Sequence, residues 1–149
     1  GERVALDAFS GRWVAVTFAF GHCEDICPLI VEQARRARAD EAVPDLPIVV
    51  VSLDPWRDTP ERLPTIAETW QLSGEDRVLS GSVDEVNATL DRWRIPRQRD
   101  PDTGMIAHGS IIVLVDPRGR EAWRIEGAPQ RIREAIARVV AESPGPGLR

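Results

Sequence analysis

Cys23 and Cys27, the only two cysteines of this chain, are the residues best suited to chemistry. They lie between the apolar segment Trp13 to Phe20 and a helix-like segment with Pro28 near its start. Unpaired N–H groups and the dipole at a helix N-terminus favour anions, so we expect at least one sulfur to ionise more easily than a free thiol. The thiolate is the form that attacks disulfides and binds soft metals.

The spacing of the two cysteines leaves several kinds of chemistry open. Three residues separate them, one more than in a redox Cys-x-x-Cys pair. At this i, i+4 spacing both sulfurs point the same way from successive helical turns. Such a pair can hold a soft ion, or it can close a disulfide if the Cα atoms approach within about 7 Å. The alternative, two buried cysteines that act as small hydrophobic residues, is disfavoured by the glycine, charged residues and proline around them.

A metal site built on two thiolates needs a third ligand, and the chain contains only two histidines, His22 and His108. His108 precedes the apolar strand Ile111 to Val115, and from a loop there its imidazole can reach the thiols. His22 directly precedes Cys23, where it could tune the thiol pKa or bind the metal. Because neighbouring side chains of an extended segment point apart, we rank His108 above His22. The alternative for His108 is an ordinary polar loop residue.

Three blocks of sequence extend this pattern beyond the cysteines. They are Phe18-x-Phe20-Gly21-x-Cys23-x-x-x-Cys27-Pro28, then Val51-Ser52-Leu53-Asp54-Pro55-x-Arg57-Asp58-Thr59-Pro60-Glu61, then His108-x-Ser110 followed by Leu114-Val115-Asp116-Pro117-x-Gly119. In this order and at these separations, the blocks resemble the SCO/SenC family of copper-binding, thioredoxin-like proteins. The resemblance runs from about Gly1 to about Ala141. It implies copper ligands at Cys23, Cys27 and His108.

The resemblance implies a metallochaperone that holds copper, as Cu(I) or Cu(II), and delivers it to the copper centre of cytochrome c oxidase during assembly of the respiratory complex. Its partner would be the copper-bearing subunit of the oxidase or another copper protein. The other function class is thiol-disulfide exchange, in which Cys23 and Cys27 act on cysteines of a partner protein. Whether the chain is an enzyme of that kind or a chaperone without turnover stays open. Copper binding needs His108, whereas exchange needs only the two thiols.

Two residues beside the thiols depart from the family pattern. Glu24 stands where relatives usually have proline, and His22 stands where they commonly have a small or hydroxyl residue. A carboxylate in the thiol loop disfavours a second negative charge, so we expect Glu24 to raise the thiol pKa values and a protonated His22 to oppose this effect.

The location of the protein is also implied by the resemblance. Relatives usually have a membrane anchor and a hairpin before the segment that corresponds to Val4 to Phe9. The implied location is therefore the periplasm or the outer face of a bacterial inner membrane, with an N-terminal anchor that is absent here. No window of this sequence approaches the roughly 20 apolar residues of a membrane span, so we expect no membrane contact from the segment itself.

Length and composition indicate one globular domain. The 149 residues are 42% hydrophobic and 29% charged, which is ordinary for a globular protein with a single core. The formal net charge of -5 argues against nucleic acid as a partner. We expect residues 1–142 to form one thioredoxin-like domain, a monomer, and the proline- and glycine-rich residues 143–149 to form a disordered tail.

The predicted elements fit an α/β, thioredoxin-like fold with a central mixed β-sheet flanked by helices. Apolar runs at 13–20 and 48–53 predict parallel strands covered on both faces, joined by a helix over 28–40 in a right-handed β-α-β unit. The remaining predictions are a helix over 60–70 capped by Asp58 or Thr59, a strand over 77–80, a helix over 83–93 capped by Ser82, an exposed hairpin or loop over 95–107 that delivers His108, antiparallel strands over 110–116 and 121–125, and a closing helix over 129–141.

The segment from Asp54 to Pro60 follows the C-terminal end of a predicted strand, where sites collect in open α/β sheets. Its residues either contribute to the metal site or only form a turn and cap the next helix. Trp56 lies in this loop and is a candidate for contact with a partner protein. The other four tryptophans fall in predicted core elements: Trp13, Trp70, Trp93 and Trp123.

Overall fold

The structure is a computed structural model that describes residues 2–23, 26–41, 43, 45–127 and 130–142. A short 3-10 turn, Leu6–Phe9, precedes the first strand. The strands are β1 (Val14–Ala19), β2 (Ile48–Ser52), β3 (Arg77–Leu79), β4 (Arg97–Arg99), β5 (Ile106–His108), β6 (Ile111–Val115) and β7 (Glu121–Glu126). The helices are α1 (Ile26–Asp40), α2 (Leu63–Thr69), α3 (Val83–Arg92) and α4 (Gln130–Glu142).

Five of the strands form a mixed sheet in the order β3-β2-β1-β6-β7. Strands β1, β2 and β3 run parallel, while β6 pairs antiparallel with both β1 and β7. Helix α1 packs against β1, β2 and α4, and α2 packs against β3. Every residue of β1, β2 and β6 is buried, as near-continuous apolar runs predict for strands covered on both faces. The predicted mixed α/β architecture is confirmed.

The pairing of β1 with β2 decides which loops meet at one edge of the sheet. Ala19, the last residue of β1, lies opposite Ser52, the last residue of β2. The Leu53 N–H then donates to the Ala19 carbonyl at 2.9 Å. Because parallel strands end at the same edge, the segment that follows Ala19 leaves the sheet beside the segment that follows Ser52.

Strands β4 and β5 form a separate two-stranded antiparallel sheet. Arg97 pairs with His108 and Arg99 pairs with Ile106 across it. At the closed end, the Asp100 N–H donates to the Met105 carbonyl at 2.8 Å. The predicted hairpin before His108 is confirmed, and His108 is the last residue of its second strand.

The second helix begins later than predicted. Helix α2 starts at Leu63 rather than at Pro60, its N-cap is Arg62, and no side chain caps it. The prediction that Asp58 or Thr59 caps this helix is therefore wrong. Asp58 is fully buried and its carboxylate is bonded elsewhere, so it is not available to the helix end.

Other local predictions are confirmed. Ser82 caps α3 in a capping box with Glu85, and β6 and β7 form the predicted antiparallel pair at one side of the sheet. Among the four tryptophans expected in core elements, Trp70 is buried, while Trp13, Trp93 and Trp123 are half-buried against the core. The residue predicted to start the last helix, Pro129, and the predicted tail over 143–149 lie outside the described residues.

In the described part of the chain, no helix has both the length and the apolar composition that crossing a membrane requires.

Candidate metal centre

The two cysteines lie at the connection between β1 and α1. Cys23 follows the end of β1 by a few residues, and Cys27 is the second residue of α1. The Cys27 N–H donates to Cys23 Sγ at 3.4 Å, so a backbone amide at the helix N-terminus points at the first sulfur. No disulfide joins the two, and both are free thiols.

The two thiols differ sharply in their surroundings. Cys27 is 0% exposed, whereas Cys23 is half-buried and packs against the core. Burial raises the pKa of the Cys27 thiol well above its ordinary value, and hydrogen bonding to Cys23 adds to the rise. Loss of solvation thus outweighs the helix end at Cys27, and the expectation that at least one sulfur ionises more easily than a free thiol stays a prediction.

His108 reaches the thiols because of strand alternation. In β5, Ile106 is buried, Ala107 is exposed and His108 is half-buried, so Ile106 and His108 lie on the inward face. His108 Nε2 lies 3.3 Å from Cys27 Sγ. The ring also contacts Phe20 edge to face, with centroids 5.6 Å apart.

A backbone contact fixes the tautomer of His108. Its Nδ1 lies 2.8 Å from the Gly109 carbonyl oxygen. A carbonyl can only accept, so Nδ1 carries the proton and the lone pair of Nε2 faces the buried thiol. This is how proteins present a histidine to a metal ion, with one ring nitrogen anchored and the other free to bind.

Cys23, Cys27 and His108 together form a group whose ligand atoms lie within 4.8 Å of one another. Two atoms that both bond one soft ion at about 2.0–2.3 Å lie no more than about 4.6 Å apart, so the present separations need little or no contraction. Among the described residues, no carboxylate belongs to this or to a second such group. Two sulfurs and one imidazole nitrogen are a donor set that suits soft ions such as Cu(I).

His22 is not part of this group. The His22 side chain is exposed and lies outside the cluster, so the structure brings His108 rather than His22 to the two thiols. Glu24 falls outside the described residues, and its predicted effect on the thiols stays a prediction.

The acidic turn after β2 contacts the thiol segment instead of capping a helix. Asp58 Oδ2 accepts hydrogen bonds from the Gly21 N–H at 3.0 Å and from Ser52 Oγ at 2.6 Å. Asp54 is 0% exposed and forms an ion pair with Arg57. The segment was predicted either to contribute to the metal site or only to form a turn and cap a helix. The contact of Asp58 with Gly21 favours a position beside the site, although neither carboxylate belongs to the cluster of ligand atoms.

Two contacts of this turn were not predicted from the sequence. Arg57 Nη2 donates to the Gly104 carbonyl at 2.7 Å, across 47 residues of chain. Trp56 is 43% exposed, and the Arg99 guanidinium lies 4.5 Å from its ring centroid. Trp56, the candidate for contact with a partner protein, thus contacts the hairpin that carries His108, and its contact with a partner stays a prediction. No local signal marks these pairs, because their members are far apart in sequence.

Comparison with known proteins gives consistent results. Residues 1–142 match the family described as SCO1/SenC. The human protein named "Protein SCO1 homolog, mitochondrial" is 31% identical over 128 residues, which cover 80% of this chain and 42% of that protein. The chain thus spans less than half the length of this relative.

Solved structures confirm the thioredoxin-like fold. Arabidopsis thaliana ScoI with copper bound superposes with a TM-score of 0.79 at 22% identity, covering 96% of this chain and 92% of that one. BsSco, described as having a disulfide switch and as a member of the Sco family of cytochrome c oxidase assembly proteins, gives a TM-score of 0.73 at 23% identity, covering 96% and 88%.

The unequal burial of the thiols predicts unequal reactivity. In the reduced, metal-free protein we expect iodoacetamide to modify Cys23 faster than Cys27 by about tenfold or more, because only thiolate reacts and Cys27 is both covered and harder to ionise. Tandem mass spectrometry of the labelled peptide assigns each site, and the two rates should converge in denaturant. Equal rates in the folded protein would contradict the assigned burial.

Close packing at Gly21 predicts that a methyl group there destabilises the protein. A Cβ at Gly21 would lie 2.8 Å from Ile66 Cδ1 and 3.0 Å from Asp58 Oδ1. We expect Gly21→Ala to lower the free energy of unfolding by about 1–3 kcal/mol, measured by urea denaturation. Gly109→Ala is the matched control beside His108, because a Cβ there meets nothing within 4 Å. Similar losses in both variants would show that the Gly21 contacts are not responsible.

Proposed function

Because this chain belongs to the SCO1/SenC family, we propose that it binds copper through Cys23, Cys27 and His108. The observation that carries the proposal is the cluster of two sulfurs and an imidazole whose Nε2 faces the buried thiol. Soft thiolates select Cu(I), and the imidazole completes a site of three ligands. Uptake of Cu(I) releases the protons of the thiols, because the metal binds the thiolate form.

We further propose that copper is cargo, delivered to the copper centre of cytochrome c oxidase during its assembly. Three protein ligands leave an open side at which a thiolate of the acceptor can enter, so copper can pass by ligand exchange without being released into water. The description of BsSco as a member of a family of oxidase assembly proteins supports this acceptor. The proposal includes a monomeric protein that acts in the periplasm or at the outer face of a bacterial inner membrane.

Thiol-disulfide exchange is the second candidate function, and two observations favour it. Cys23 is the half-exposed sulfur and receives the N–H of Cys27, which is the arrangement expected of an attacking thiol beside a helix N-terminus. The disulfide switch described for BsSco shows a similar protein using disulfide chemistry. In exchange, Cys23 thiolate attacks the partner disulfide and Cys27 then displaces the reduced partner, leaving a Cys23–Cys27 disulfide.

The ligand assignment predicts the result of a copper titration. Reduced protein should bind one Cu(I) per chain, measured anaerobically by competition with a chromophoric Cu(I) chelator. Cys23→Ser, Cys27→Ser and His108→Ala should each weaken binding by more than about 100-fold, because each removes a direct ligand. His22→Ala is the matched control and should bind as wild type does. Unchanged affinity in His108→Ala would exclude the three-ligand site and leave exchange as the better candidate.

The shared use of the two sulfurs predicts coupling between redox state and copper. Oxidation to a Cys23–Cys27 disulfide removes two hydrogens and both thiolate ligands, so we expect it to abolish Cu(I) binding and reduction to restore it. The intact mass before and after reduction, measured beside the titration, follows the change of about 2 Da set by the two hydrogens. Full-affinity copper binding by protein whose disulfide is demonstrably intact would refute the site.

A further inference from the structure

We propose that Arg57, held by the buried carboxylate of Asp54, is a positioning residue that sets His108 over the two cysteines. The inference rests on the proposed copper site, because it concerns how that site is held together. It assigns a role to a residue that is not a candidate ligand and has no hydrogen bond to one among the described residues.

The need for such a residue follows from the sheet topology. The cysteines follow the central strand of the five-stranded sheet, whereas His108 lies on a hairpin that forms its own two-stranded sheet. No backbone ladder joins the two sheets in the described part of the chain. The distance between His108 and the thiols therefore depends on side chains that cross the gap and on the short connection through Gly109 to β6.

Arg57 connects the turn after β2 to the tip of the hairpin. Its Nε binds Asp54, which has no exposed surface, and its Nη2 donates to the Gly104 carbonyl at 2.7 Å. Because both donors belong to one planar, rigid guanidinium, Arg57 can hold the Asp54 carboxylate and the Gly104 carbonyl at the same time. Gly104 is buried with φ +72, a conformation that favours glycine, and it precedes His108 by only four residues.

The turn after β2 and the hairpin share a second contact. The guanidinium of Arg99, in β4, lies over the ring of Trp56, the neighbour of Arg57. The base of the hairpin is held separately, because Arg97, which pairs with His108, donates to Asp91 and Asn87 of α3. The hairpin is thus fixed at its base by α3 and at its tip by the turn after β2.

The same turn also holds the thiol half of the site. Asp58, the residue after Arg57, accepts the Gly21 N–H two residues before Cys23. One short segment after β2 therefore contacts the backbone of the thiol turn and the backbone of the His108 hairpin. A rigid link of this kind fixes the separation of the two halves, which is what a site assembled from separate elements requires.

A copper titration in two backgrounds tests whether Arg57 acts through His108. We expect Arg57→Gln to weaken Cu(I) binding by about tenfold or more in the otherwise wild-type chain and to have no effect in the His108→Ala background. Arg57→Lys is the second variant: it keeps a charge beside Asp54 and loses the fork, so the same weakening is expected. An equal loss in both backgrounds would overturn the proposal, because Arg57 would then act without His108.

Arg124→Gln is the matched control. Like Arg57, Arg124 pairs with a carboxylate three residues earlier, Glu121, and donates through Nη2 to a distant carbonyl, that of Trp93, at 2.7 Å. It lies on β7, and none of its hydrogen bonds reaches the hairpin strands or the turn after β2, so its loss should leave copper affinity unchanged. A loss in Arg124→Gln equal to that in Arg57→Gln would show a general effect of lowered stability and overturn the proposal.

The metal-free protein gives a readout that does not depend on copper. In nitrogen-detected NMR spectra, Arg57→Gln should shift the imidazole signals of His108, while Arg124→Gln should leave them in place. Unmoved His108 signals in Arg57→Gln would refute the positioning role even if copper binds. If the wild-type chain bound no copper but Arg57→Gln still shifted the His108 signals, the proposed function would be wrong and the link from Arg57 to His108 would stand.

Discussion

The burial of β1 between β2 and β6 is the constraint on which the site depends. A strand covered on both faces leaves the core at one defined point, here Phe20, and the thiol turn begins there. The end of the parallel neighbour β2 brings Asp58 to that exit, where its carboxylate accepts the Gly21 N–H. The sheet thus fixes the cysteines, and the His108 hairpin must be brought to them by contacts outside the sheet.

The chemistry of the site follows from the unequal burial of its two sulfurs. A thiol without solvent stays neutral, because its anion would lose hydration that the protein does not replace. A soft cation changes this balance, since a coordinated thiol is deprotonated by the metal's own charge. Cys27 and His108 Nε2 are therefore suited to hold a metal and poorly suited to react before it arrives. Cys23, half-exposed at the helix end, is the sulfur that a partner or an incoming ion meets first.

Local sequence patterns predicted most of the fold, and they failed where a distant contact decides. The apolar runs gave β1 and β2, and the Ser82 cap was correct because its partners lie within one turn. Asp58 has the local sequence of a helix cap, yet Gly21, 37 residues away, takes its carboxylate. The position of Cys27 at a helix N-terminus predicts an easily ionised thiol, yet the packed core buries Cys27 and raises its pKa, and no local sequence pattern indicates that burial. The link from Arg57 to Gly104 spans 47 residues and carries no local signature.

The sequence predicts His108 as a ligand because the chain has only two histidines, and because the resemblance to the SCO/SenC family implies a ligand at this position. What sequence could not supply was the mechanism that holds it there. The hairpin pairs only with itself, so its place depends on arginine contacts at its tip and base and on the Phe20 ring. The thiol turn is therefore positioned by the core sheet itself, through the pairing of β1 with β2 and the carboxylate of Asp58. The imidazole is positioned by side-chain contacts of the hairpin and by the short connection through Gly109 to β6. A site built in this way needs contacts from distant parts of the chain to bring its nitrogen ligand to its sulfur ligands.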